Sequence, residues 1–155
     1  MPYVRELQAV WMQLGRQWSS IVVVPSEAGH PTADIARALS QVGARLSIYP
    51  VEFIDARNLD VENSVRLIAR VQMHAEELGT PADPQPFASP TWAPPITKTV
   101  LALESPLANP LVVPIALASD GAVLCVRRGR DRLASVRDTI QALGRHLIVC
   151  CMLLE

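Results

Sequence analysis

The spacing of apolar residues changes several times along the chain, and each change marks an element. Val4, Leu7, Val10, Trp11, Leu14 and Trp18 recur every three or four places, which predicts an amphipathic helix over residues 3–18. Ile21-Val22-Val23-Val24 has no polar alternation and predicts a strand buried on both faces, stopped by Pro25. After the loop SEAGHP, Thr32 to Val42 predicts a helix with Ile35, Ala38, Leu39 and Val42 on one side and Gly43 as its C-terminal cap. Leu46 to Val51 predicts a second strand with Pro50 at its end. Asp60 stands where it would cap a helix running to Leu78, with Val61, Val65, Ile68, Val71 and Ala75 as its stripe and Gly79 closing it.

Further on, Thr99 to Leu103 predicts a third strand and Val112 to Ala118 a short helix with Pro114 in its first turn. Gly121 opens a fourth strand, AVLCV. Arg132 to Leu143 predicts a helix with Leu133, Val136, Ile140 and Leu143 inward, and HLIVCCMLL the last strand. Strands and helices alternate, so the expected class is α/β: three layers, a mainly parallel five-stranded sheet with helices on both faces. Residues 1–155 read as a single domain, with no internal repeat. Function in such folds gathers at the carboxyl ends of the strands, which here fall at Pro25–Thr32, Val51–Asp55, Glu104–Asn109 and Val126–Asp131.

Residues 80–95 interrupt the alternation. Six of the chain's 13 prolines lie there, which excludes helix and central strand and predicts a long Pro-rich loop. Its large apolar groups, Phe87 and Trp92, either pin it to the domain or present a contact surface.

Composition narrows the function classes. Hydrophobic residues make up 50% and charged residues 19% of 155, which excludes a disordered chain. A net charge of −1 supplies no global field for nucleic acid or an acidic membrane. No apolar run approaches the roughly 20 residues needed to cross a bilayer, and the N-terminus lacks a signal peptide's continuous apolar stretch, so the expected location is cytoplasmic. Cys125, Cys150 and Cys151 lie in apolar runs and read as buried thiols, without CxxC or HxxxH spacing for a metal. Ser26 and Ser105 lack the turn of a hydrolase nucleophile, and His30, His74 and His146 complete no triad. Arg127, Arg128, Arg130 and Arg132 flank one strand's carboxyl end, either as a solvated loop or as a site for an anion or acidic partner.

TVLALESPLANPLVVPIALASDGAVLCVRRGRDRLASVRDTIQAL resembles the second half of the ATPase domain in the bacterial tyrosine kinase, or capsular exopolysaccharide, family of P-loop ATPases. Glu104-Ser105-Pro106 stands in the place of that family's Walker B aspartate and its proline. Ser119-Asp120-Gly121 stands in the place of its Ala-Asp-Gly turn, and Val126-Arg127 ends the next strand. IVVVPSEAG enters where the P-loop belongs, and ADIARALSQVGARLSIYPV resembles the helix and second strand that follow. The resemblance implies a P-loop-NTPase-like strand order 2-3-1-4-5.

It also implies sites that this chain lacks. A Walker A loop needs GxxxxGK[ST], whose glycines let backbone N–H groups wrap the phosphates and whose lysine neutralises them. The matching link, Pro25 to Thr32, holds one glycine, Gly29, and no lysine, while Glu27 adds negative charge and Pro31 removes a donor. Thr32 stands either as a mimic of the magnesium-binding hydroxyl or as the helix N-cap, and His30 either contacts an anion or is a solvated loop residue. Tyr49-Pro50-Val51-Glu52 replaces the second acidic motif, and the family's tyrosine-rich tail is absent. Of the family's Glu-x-x-Arg-x-x-Arg assembly pattern, Pro2, Arg5 and Gln8 keep one residue.

The expected function is therefore a non-catalytic, pseudokinase-like accessory or regulatory role, by resemblance in exopolysaccharide or capsule biosynthesis. No cofactor, metal or catalytic residue is expected, with Gly29, Thr32 and Glu104 as vestigial positions. The expected partner is a protein: a membrane polysaccharide co-polymerase or kinase that recruits the domain to the inner membrane, or a second copy. Trp11 and Trp18 are the aromatic contact candidates, at least one of them partly exposed if they serve, and Arg127, Arg128 and Arg130 the charged ones. The alternatives are an atypical nucleotide-binding ATPase using Glu104 and Thr32, or a structural subunit of another assembly.

Overall fold

A computed structural model describes residues 3–79 and 97–155, with the side chains of 74–79 outside that description. The expectation for the Pro-rich segment, Phe87 and Trp92 included, lies outside the described residues. The elements run α1 (Val4–Leu14), β1 (Ser20–Pro25), α2 (Thr32–Leu46), β2 (Val51–Asp55), α3 (Val61–Gly79), β3 (Lys98–Ala102), α4 (Val112–Ala118), β4 (Gly121–Arg127), α5 (Leu133–Leu143) and β5 (Ile148–Leu154). The strands form one five-stranded sheet, ordered β2-β3-β1-β4-β5, and every pairing is parallel. Class and strand order are those expected.

β1 is buried throughout because it lies at the centre of the sheet. Ile21 and Val23 face a core under α1 and α2, with Leu7, Trp11, Ile35 and Leu39. Val22 and Val24 face the opposite core, with Val71, Ile115 and Leu143 from α3, α4 and α5. Among the described residues no helix is long and apolar enough to cross a membrane.

Several boundaries differ from expectation. α1 ends at Leu14 because Gly15 takes φ +74°. Trp18 therefore lies beyond the helix, its indole N–H bonded to the Gly15 carbonyl at 3.1 Å. The two indoles meet edge to face, 5.1 Å apart at 73°, and both are buried. The partial exposure expected of one of them is not found; each packs into the core. Gly43 is not a cap. α2 runs past it to Leu46, and a Cβ at Gly43 would overlap the six-membered ring of Trp11.

That longer helix displaces the second strand. Leu46 and Ile48 stay exposed, and β2 begins only at Val51. β2 is an edge strand, so it carries Glu52 and Asp55, which disguised it in the apolar pattern. Two helices also turn differently from their predicted stripes. In α3, Val71 is buried as expected, but Val61 and Val65 are exposed and Leu67 is buried in their stead. In α5, Leu143 faces inward as expected, but Leu133 is 71% exposed and Ser135 and Thr139 are buried. The cysteines divide: Cys125 is buried in β4, but Cys151 on the edge strand β5 is exposed, contrary to expectation.

Candidate functional site

With all strands parallel, their carboxyl ends share one rim. Four segments meet there: Ser26–Pro31 after β1, Asp55–Asp60 at the end of β2, Leu103–Asn109 after β3, and Arg128–Arg132 after β4. The β1–α2 link and the β4–α5 link are neighbours because β1 pairs with β4.

Asp131 joins these two links. Its Oδ2 accepts the Ser26 hydroxyl at 2.6 Å and the Arg127 backbone N–H at 2.8 Å. The Nε2 of His30 lies 3.0 Å from Oδ1 and 2.8 Å from Oδ2. The side chains of His30 and Asp131 are fully buried. Burial pushes the Asp131 carboxyl up, but the donors from Ser26, Arg127 and His30 outweigh it and hold the group below the usual carboxylate range. Arg127 Nε adds a longer contact at 3.4 Å. His30 is thus not the solvated loop histidine expected; the neighbouring link encloses it, and its Nδ1 is buried without a hydrogen-bond partner.

A second tie lies beside the first. Glu27 Oε1 accepts the Arg132 backbone N–H at 3.0 Å and its Nε at 3.2 Å. Hydrogen bonds from Ser135 and Arg132 hold the Glu27 carboxyl below its ordinary value. Thr139 donates to the Ser26 carbonyl at 3.3 Å. These polar bonds account for the turned face of α5, since Ser135 and Thr139 must point at the β1–α2 link to make them.

The remaining expected positions surround this knot. Gly29 takes φ +84°, a turn that favours glycine, and a Cβ there would meet nothing within 4 Å. Thr32 is the first residue of α2 rather than its N-cap, which is Pro31, and its hydroxyl donates to the Leu103 carbonyl at 3.4 Å. Glu104 accepts the Asn109 amide at 3.1 Å. Because β2 starts late, the residue at its carboxyl end is Asp55, so an acidic group does follow the second strand. Tyr49-Pro50-Val51-Glu52 leads into that strand instead. Asp55 is held by Arg57 at 2.8 and 2.7 Å, which lowers its pKa. Of the arginine cluster, Arg127 and Arg132 are engaged as described, while Arg128 and Arg130 have no carboxylate partner among the described residues.

The Ser119-Asp120-Gly121 turn sits at the opposite rim. Asp120 Oδ2 accepts Ser19 N–H at 2.6 Å, the Ser19 hydroxyl at 2.9 Å and Ser20 N–H at 3.1 Å, clamping the start of β1. Lys98 is buried nearby. It donates to the Arg16 and Trp18 carbonyls, both at 2.9 Å, and lies 4.2 Å from the Trp18 ring centroid. Burial pushes its pKa down.

The pairing of Ser26, His30 and Asp131 was not foreseen. Asp131 is more than 100 residues from its partners; the available signal was that both links follow the paired strands IVVVP and AVLCVR. Among the described residues, no group of three or more His, Cys, Asp or Glu could hold a metal ion. No family model matches the chain, and no curated protein does. Among solved structures, the "BceF Tyrosine Kinase Domain" superimposes with a TM-score of 0.58 at 14% identity, covering 97% of this chain and 74% of that one. The likeness is one of fold: this chain folds as a bacterial tyrosine kinase domain does.

Proposed function

We propose that the domain is a non-catalytic, pseudokinase-like accessory or regulatory protein that acts through protein contacts, in exopolysaccharide or capsule biosynthesis. One observation carries the first part. The carboxylates at the carboxyl rim are each satisfied by neighbouring groups of the chain: Asp131 by Ser26, His30 and Arg127, Glu27 by Arg132, Asp55 by Arg57, and Glu104 by Asn109. A magnesium nucleotide does not fit these residues. The β1–α2 link offers no lysine, Pro31 has no N–H to give, and Glu27 would meet the phosphates with like charge. Displacing the link to admit a ligand would strand the buried Asp131 carboxylate, at a cost of about 3–5 kcal/mol.

The pathway rests on the family resemblance and on the fold it shares with a tyrosine kinase domain. Arg128 and Arg130 are the cations left for an acidic partner, such as a cytoplasmic segment of a membrane co-polymerase or a kinase. Titration calorimetry with Mg-ATP tests the closed site. No binding heat is expected, and micromolar affinity would overturn the reading.

A further inference from the structure

The sheet has two edges, and the chain treats them differently. β2 carries Glu52 and Asp55, ion-paired with Arg70 at 2.6 Å and Arg57 at 2.7 Å, and Arg37 lies 5.2 Å from the Phe53 ring. Charge on an edge strand penalises the approach of another strand. β5, the other edge, reads IVCCMLL, with no charge and no proline.

Among the described residues, the outer backbone of β5 is open beyond Val149. Arg128 N–H bonds the Leu154 carbonyl at 2.8 Å. By the two-residue alternation of a strand, Cys150, Met152 and Leu154 direct their backbone groups at β4, and Val149, Cys151 and Leu153 direct theirs outward. The Val149 carbonyl takes the exposed Gln13 amide at 3.3 Å. Among the described residues, the outward groups of Cys151 and Leu153 have no protein partner. The side chains of the same three residues are exposed, Val149 by 38% and Leu153 by 68%. Cys150, Met152 and Leu154 instead join the core beneath α1 and α2.

We propose that β5 is a self-association surface: it pairs antiparallel with β5 of a second copy, joining two sheets across a two-fold axis. Three features select a second copy as the occupant. A two-fold axis makes the pairing antiparallel and presents each strand with an equally uncharged one, so no solvated charge is lost. The outward residues are spaced evenly about Cys151. A register centred there sets Cys151 against Cys151 and Val149 against Leu153, and it returns the Gln13 amide to water. The exposed side chains of both strands then share one face and form a continuous apolar strip. The register shift between Ala122 and Val123 leaves Val149 without a partner on β4, so the irregularity lies at the outer ends of the proposed pairing, two residues from the axis.

A strand this short buries less than the ~800 Å² per partner of a stable complex, so the dimer is expected to be weak and dependent on concentration. The proposal goes beyond the role proposed above and does not depend on it. Sedimentation velocity over a dilution series tests it. The wild type should approach a dimer as concentration rises. Cys151→Lys sets like charges face to face and should weaken the dimer at least about tenfold. Its melting curve should match the wild type, because the site is exposed. Cys151→Ser should keep the dimer. A short bismaleimide should link Cys151 to Cys151 in the wild type, mapped by peptide mass spectrometry. A monomer at several hundred micromolar, a dimer insensitive to Cys151→Lys, or links confined to other residues would each overturn the pairing. None of those results bears on the calorimetric test of the closed nucleotide site.

Discussion

Replacing Asp131 by alanine should destabilise the domain more than its place beside an arginine-rich loop suggests. The carboxylate accepts from the Ser26 hydroxyl, His30 Nε2 and the Arg127 backbone N–H, and it is fully buried. Each donor left unsatisfied in a buried site costs about 1–3 kcal/mol. Breaking a buried pair by removing one partner costs about 3–5 kcal/mol in all, so a loss of about 3–4 kcal/mol is expected. That is a large share of the roughly 5–15 kcal/mol that holds a domain of this size. Arg66→Ala, which removes an exposed i,i+4 pair with Glu62, should cost under about 0.5 kcal/mol and serves as the comparison. Urea unfolding followed by circular dichroism reads both, at unchanged slope. The pH dependence gives an independent check. The folded pKa of Asp131 is depressed, so its contribution is present above the unfolded value of about 3.9 and is lost as pH falls through the folded one. The gap between wild type and Asp131→Asn should therefore hold at pH 7 and narrow below about pH 4. A cost for Asp131→Ala below about 1 kcal/mol, or a gap that is flat through the acid range, would refute the claim that this carboxylate ties the two links.

Gly43→Ala should destabilise by about 1–3 kcal/mol, although alanine is the better helix former, because its Cβ would displace the Trp11 ring; thermal melts measure this, and a gain in stability would count against that packing. Thiol labelling should separate the cysteines, with exposed Cys151 reacting first and Cys125 only on unfolding. Burial pushes the Cys125 thiol up to about 12, and mass spectrometry of partly labelled protein would reveal any other order.

Where an element's burial is uniform, its residues declare it. Ile21 to Val24 read as a central strand because both faces of β1 are covered, and the alternation of strands with helices pointed to a parallel sheet. The missing lysine and glycines between Pro25 and Thr32 are equally local facts. Tertiary structure decided the rest, in each case because the deciding neighbour is distant in sequence. Gly43 looks like a helix stop, yet it is the notch for Trp11, which belongs to another helix. β2 hid behind Glu52 and Asp55 because an edge strand needs only partial cover, and its displacement moved Asp55 to the carboxyl rim. Ser135 and Thr139 outrank Leu133 on the inner face of α5 because their partners are on the β1–α2 link. His30 lies in one loop and Asp131 at the end of another, and neither stretch marks them as partners. They become a buried pair only when β1 and β4 lie side by side, and no local pattern encodes that adjacency.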